Sequence, residues 1–249
     1  MARSGGLWLG LAMGALAGCT TVIHPRVPPS RVGPVGPPEG LLSGETRLAA
    51  QMYLGTVGNH ELAGGQLEVT HAFLPTVALR AEGYFLNDEV WDGASGAGRV
   101  GVALSPVEHL SFHLGGGIGG GEGGAFGGPD VGLTLGYVNP HFVPFLSWSG
   151  SYTVPLGDDR PTVRTVNYSP QETFRHAGHV GFSLPFNPGR PDEVAFRLAV
   201  GIGQSLVLGS DAAAVGTSFR EEDEEPVFSF LWGISVRLGD PLARHPNAD

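Results

Sequence analysis

Past Glu45 the chain alternates large apolar residues with small or polar ones. Between Phe142 and Val154 the even positions include Phe142, Leu146, Trp148, Tyr152 and Val154, while the odd ones include Ser147, Ser149, Ser151 and Thr153. From Val194 to Leu208 one face carries Val194, Phe196, Leu198, Val200 and Ile202; the other carries Ala195, Arg197, Ala199, Gly201 and Gly203. The last such run sets Phe228, Phe230, Trp232, Ile234, Val236 and Leu238 against Ser229, Gly233, Ser235 and Arg237. A period of two marks strands whose faces meet different surroundings.

Read this way, the sequence predicts ten strands, near residues 46–56, 65–74, 76–86, 98–105, 108–117, 130–139, 141–155, 173–186, 193–208 and 226–238. Short, turn-like connections fall at Pro75-Thr76, Ser105-Pro106-Val107, Asn139-Pro140 and residues 187–192. They alternate with longer ones at 57–64, 87–97, 118–129, 156–172 and 209–225. The expected fold is all-β: a closed antiparallel up-and-down β-barrel of about ten strands over residues 45–239. An N-terminal signal helix and a Pro-rich tether precede it, and a tail over 240–249 follows.

Composition bears on which face is outside. Charged residues make up 15% of the chain, against roughly 25% in ordinary soluble domains, a thin supply for a water-exposed surface. The face opposite the large apolar residues is mostly Gly, Ala and Ser. Its ionisable groups are Arg80, Glu82, Arg99, Arg175, Arg197 and Arg237, with His109, His113 and His179. Small residues and scattered charges suit a narrow barrel interior, where space is limited and charges can pair. Leu110, Phe112, Leu114, Trp148 and Phe182 suit hydrocarbon. Tyr137 and Phe142 flank one short turn, and Phe186 and Phe196 another, as an interfacial aromatic girdle would. The alternative is a soluble, periplasm-facing barrel with its apolar face turned inward around an apolar ligand.

The amino terminus carries a different signal. Arg3 lies in a weakly positive start, and Leu7 to Ala15 is an apolar stretch of signal-peptide length, too short for a stable bilayer anchor. Leu16, Ala17 and Gly18 then precede Cys19, the only cysteine. This run resembles the bacterial lipobox. The resemblance implies a signal peptide over residues 1–18, peptidase recognition of Leu16, Ala17 and Gly18, and a diacylglycerol (with an amide-linked acyl chain such as palmitate) on Cys19. Several acyl chains at about 0.8 kcal/mol per buried methylene make a permanent anchor. Thr20 at the second mature position implies delivery to the outer membrane. Residues 20–43 hold six prolines, so 19–44 reads as a lipidated cysteine on a semi-rigid tether entering on the side of the short turns.

The body over residues 45–239 resembles the bacterial outer-membrane β-barrel superfamily. Short turns alternate with longer connections, the strand number is even, and Gly233, Val236 and Leu238 match the spacing of that family's C-terminal assembly signal. The resemblance implies an outer-membrane location with membrane lipid as the partner, and leaves activity open. All 14 basic residues are Arg. Removing Arg3 with the signal peptide leaves 13 basic against 24 acidic residues, a net of −11. That balance gives no footprint for nucleic acid.

No catalytic, metal or cofactor site is expected. His109, Ser111 and His113 share one face in a strand, a His-x-Ser spacing similar to that of outer-membrane lipid A deacylases; this makes a lipid hydrolase the third reading. As metal ligands, His109 and His113 would sit about 13 Å apart along a strand. His176 and His179 face opposite sides. The run Gly115 to Gly128 contains phosphate-loop-like spacings but no following helix, and is expected to be a flexible hairpin loop. Glu221 to Glu225 reads as a solvated acidic loop, or one that recruits divalent cations.

Overall fold

The computed structural model describes residues 21–23, 43–58, 60–88, 93–107, 109–121, 124–137, 141–156, 162–163, 166–168, 172–186, 194–208 and 224–239. The predicted signal peptide, Cys19, most of the tether and the tail from 240 onward lie outside these residues, as do Glu221, Glu222 and Asp223. The described residues contain thirteen strands and no helix. Ten of them, β2 (Thr46–Val57), β3 (His60–Leu74), β4 (Val77–Asp88), β5 (Gly93–Val107), β6 (Leu110–Gly121), β7 (Gly124–Gly136), β8 (Val143–Leu156), β11 (Glu172–Pro185), β12 (Val194–Leu208) and β13 (Glu224–Leu238), form one closed barrel. Every neighbouring pair is antiparallel, and β13 pairs with β2 from Val227↔Val57 to Leu238↔Thr46, which shuts the sheet.

All ten predicted strands are present, and several run further than the alternation suggests. The expected loop at 57–64 is instead a tight hairpin, in which Val57 pairs with His60 and Gly58 adopts a left-handed φ of 59°. The expected loop at 118–129 is corrected likewise: β6 and β7 stay paired from Leu110↔Leu135 to Gly121↔Gly124. The glycines there are strand residues for a steric reason. A Cβ on Gly115 would stand 3.0 Å from His113 Nε2, and one on Gly117 would stand 3.1 Å from Arg99 Cγ. The bare backbone makes room for charged side chains that lean over it. Long connections survive only at 157–171 and 209–223; 89–92 is short.

At the opposite end, Pro75-Thr76 joins β3 to β4 as predicted. The strand that was expected to hold His109 starts at Leu110, which leaves His109 exposed in the β5–β6 turn. Gly44 N–H donates to Ala72 O at 2.7 Å and so ties the start of the barrel to this short-turn end.

Three short strands form a separate sheet: β1 (Thr21–Ile23) pairs in parallel with β10 (Val166–Tyr168), which pairs with β9 (Thr162–Val163). Strands β9 and β10 belong to the long connection between β8 and β11. The described residues nearest Cys19 therefore stand at the long-connection end, contrary to the expectation that the tether keeps to the short-turn side. The 22 residues from Ile23 to Glu45 can reach up to about 70 Å when extended, longer than a barrel is tall.

Backbone space inside the barrel generates a direct test. A Cβ on the inward Gly101 would lie 2.6 Å from His113 Cε1 and 2.7 Å from Leu114 O, whereas one on the outward Gly98 meets nothing within 4 Å. Gly101→Val should cost at least about 1–3 kcal/mol by overpacking, and Gly98→Val should be neutral. The check is the fraction of compact, heat-modifiable barrel on gels after refolding in detergent micelles.

Candidate functional site: a charged interior inside an apolar shell

Alternation along each strand sorts the side chains into two environments. Every barrel strand carries large apolar side chains at outward positions, among them Leu67 (67% exposed), Leu114 (64%), Val180 (66%) and Ile202 (65%). Inward positions hold Arg47, Gln51, Glu68, Arg80, Glu82, Arg99, His113, Asp130, Arg175, His179 and Arg197, all buried. A water-soluble barrel has the reverse polarity, whereas the middle of this interior, among the described residues, is charged and polar. Monomeric soluble proteins rarely expose contiguous apolar patches beyond a few hundred Å², and this band encircles the barrel.

The inward charges are ordered. Arg47 Nη2 donates to Glu68 Oε1 at 2.7 Å, and Arg80 donates to the other oxygen of the same carboxylate. Arg80 Nε stands 2.6 Å from Glu82 Oε1, and Arg99 Nη1 donates to Glu82 Oε2 at 2.6 Å. Arg99 also pairs with Asp130, and Asp130 Oδ1 lies 3.1 Å from His113 Nε2. Cations and anions thus alternate as a ladder across β2, β3, β4, β5, β6 and β7. Register explains the contacts: Glu68 faces Glu82 across β3–β4, and Glu82 faces Arg99 across β4–β5. Two adjacent carboxylates are tolerable because a guanidinium lies on each side of both.

The other wall, on β8, β11, β12 and β13, carries hydroxyls: Ser147, Ser151, Thr153, Thr173, Ser205 and Ser229 are buried. Arg175 Nη2 reaches across to donate to Tyr53 Oη at 2.8 Å, and His179 Nε2 lies 3.2 Å from Ser229 Oγ. Toward the long-connection end the interior turns apolar, with Tyr53, Val57, Leu62, Tyr84, Leu86 and Val227 in one buried cluster. The expectation of a small and ionic interior needs this amendment. The cluster is visible in the sequence only as inward-parity exceptions. Ladder and cluster both project into the lumen.

The predicted candidates fall as follows. Ser111 and His113 face inward, but His113 turns its Nε2 to Asp130, and His109 stacks outside on Tyr137 with ring centroids 5.9 Å apart. The His109–Ser111–His113 face expected for a hydrolase is therefore not assembled. His176 packs near Phe174 on the outer face, while His179 is buried inside. Among the described residues no group of three or more His, Cys, Asp or Glu is placed to hold a metal ion. Sequence reading missed Glu68 and Asp130, although both fall inside the expected strands 65–74 and 130–139, at the same inward parity as the neighbouring polar positions. Exposed aromatics gather at the short-turn end, with Phe73, Tyr137, Phe142 and Phe186 outward and Phe142 packed on Phe182 at 5.5 Å.

Glu68 serves two arginines and also accepts from Thr70 Oγ1 at 3.1 Å. Glu68→Leu strands Arg47 and Arg80 without their shared anion and should cost about 3–5 kcal/mol, the usual penalty for leaving a buried charge unpaired. Denaturant unfolding of the reconstituted barrel measures it. Glu172→Gln, at the exposed contact with Tyr152, should leave the unfolding midpoint unchanged.

No family model matches the chain, and no curated protein sequence matches it either. Among solved structures it is similar to the outer membrane protein OprG from Pseudomonas aeruginosa, at 13% identity over 80% of this chain and 98% of that one, with a TM-score of 0.33. It is also similar to the COG4313 outer membrane channel from Pseudomonas putida F1, at 9% identity over 84% and 100% of the two chains, with a TM-score of 0.47. The NanC porin gives 12% identity over 77% and 100%, with a TM-score of 0.37. These neighbours are outer-membrane β-barrel proteins, and at such identities and TM-scores they say nothing about what this chain binds or does.

Proposed function

We propose that the chain is a lipid-anchored barrel of the bacterial outer membrane. In this reading the lumen does not conduct, and the protein serves envelope structure or surface interactions through its long connections. The observation that carries the reading is the inverted polarity, with apolar side chains outside on all ten strands and paired charges within. Dimensions agree. A 12-residue strand such as β2 is about 40 Å long and, at the roughly 40° tilt usual for barrels, rises about 30 Å, the thickness of a bilayer's hydrocarbon core. The outward aromatics at the short-turn end stand where an interfacial girdle would, with the short turns in the periplasm.

The contents of the lumen support the non-conducting reading. Passage of a solute would have to separate Arg47, Glu68, Arg80 and Glu82 and then part the Tyr53–Leu86 cluster. Lipidation of Cys19 rests on the sequence alone, since that residue lies outside the described ones.

Two measurements test this. A fatty-acid probe should label the wild-type chain and not Cys19→Ser, while the Cys19→Ser barrel should still require detergent for extraction; a variant soluble without detergent sinks the membrane reading. In planar bilayers the purified barrel should give no steady conductance of the size seen for wide porins.

A further inference from the structure

The outer shell is not uniformly bulky. On the β13–β2–β3–β4 side, outward positions near mid-height are small: Ala50, Gly65 and Gly83. Register makes them neighbours. Ala50 faces Leu67 across β2–β3, Leu67 faces Gly83 across β3–β4, and Gly65 faces Phe85. The result is a groove of about 660 Å³ in the outer surface, walled by Trp232 and Phe196 on one side and by Leu67 and Phe85 on the other. Phe85 lies against Gly65, where an added Cβ would stand 2.6 Å from Phe85 Cε1, and so closes one end. Gly83 stays open: its nearest such neighbour is a backbone oxygen at 4.0 Å.

We propose that this groove is a fixed seat for an acyl chain of a membrane phospholipid, an inference that rests on the membrane reading above. The groove opens within the apolar band and is continuous with it, so whatever covers the band covers the groove. Its outward walls are apolar side chains alone, and its size falls in the roughly 300–1,000 Å³ range of small-molecule sites. A second barrel presents a convex surface that leaves such a depression empty, whereas a polymethylene chain can lie along it. Ala50 and Ile234 each lie four residues from the short-turn end of their strands, on the order of 10 Å of height at about 3.3 Å per residue and the usual tilt. Gly83 and Phe85 lie six and eight residues from the short-turn end of β4, so the groove runs from the short-turn leaflet to about mid-height, the course of a phospholipid acyl chain.

The full-length protein in vesicles containing a phospholipid with a photoactivatable acyl chain tests the idea, with adducts mapped by mass spectrometry. Labelling should be several-fold heavier on β13, β2, β3 and β4 than on the opposite strands β6, β7 and β8. Gly83→Leu and Ala50→Leu, which fill the groove from outside, should each bring the two sides to parity while the barrel remains inserted. Even labelling of the wild type around the belt overturns the groove and leaves the membrane reading standing; no labelling, with protein free of the vesicles, overturns both. A dimer seen by sedimentation in detergent and dispersed by Gly83→Leu would assign the groove to a second copy. Labelling that rises several-fold in Cys19→Ser would assign it to the chain's own acyl groups, and either result overturns the proposal.

Discussion

The pairing of β13 with β2 closes the sheet, and closure forces a choice about space. Once ten strands form a ring, half of all side chains must fit inside a narrow cylinder and the other half must stand outside it. Outward positions have unlimited room and take Leu, Phe, Val and Trp. Inward positions are crowded, so they alternate between glycine or serine and a few long cationic side chains that run across the lumen. The ladder from Arg47 to His113 follows from that confinement, because charges denied water persist only beside opposite charges.

Glycine is the means by which the ladder is accommodated. Gly101, Gly115 and Gly117 lie beneath His113 and Arg99, and side chains there would occupy the volume those groups need. A run of glycine in isolation looks like a flexible linker. Within a closed sheet it becomes a paired strand, because its neighbours supply the hydrogen bonds and the charged groups supply the filling. Local composition and tertiary demand thus point in opposite directions at β6 and β7, and tertiary demand wins.

That conflict explains what was legible in the sequence. Strands with strong two-residue alternation, such as those holding Trp148 and Trp232, were placed to within a few residues, and the inward face of Arg80, Glu82, Arg99, Arg175 and Arg197 could be read from parity. The extents of β3, β6 and β7 could not, since glycine carries no facial signal. Glu68 and Asp130 lay inside the expected strands 65–74 and 130–139 but were not counted among the interior charges, so the ladder was missed although its arginines were visible. The apolar cluster of Tyr53, Leu62, Tyr84 and Leu86 was hidden for another reason: it breaks the general rule of the inward face at one end only.

The interior charges also alter how the molecule is seen from solution. Among the described residues six arginines (47, 80, 99, 175, 197 and 237) and five carboxylates (Glu45, Glu68, Glu82, Asp130 and Glu225) face inward, a surplus of one positive charge. The whole chain has a formal net charge of −10, so the remainder carries −11. The rest of the chain is therefore more acidic than the composition suggests, with six of its 14 arginines withdrawn from view. Dissolved salt, which screens exposed charges over about 10 Å at 0.1 M, would soften repulsion among the exposed carboxylates and leave the sealed pairs untouched, so the response to ionic strength and the integrity of the barrel are governed by separate sets of residues.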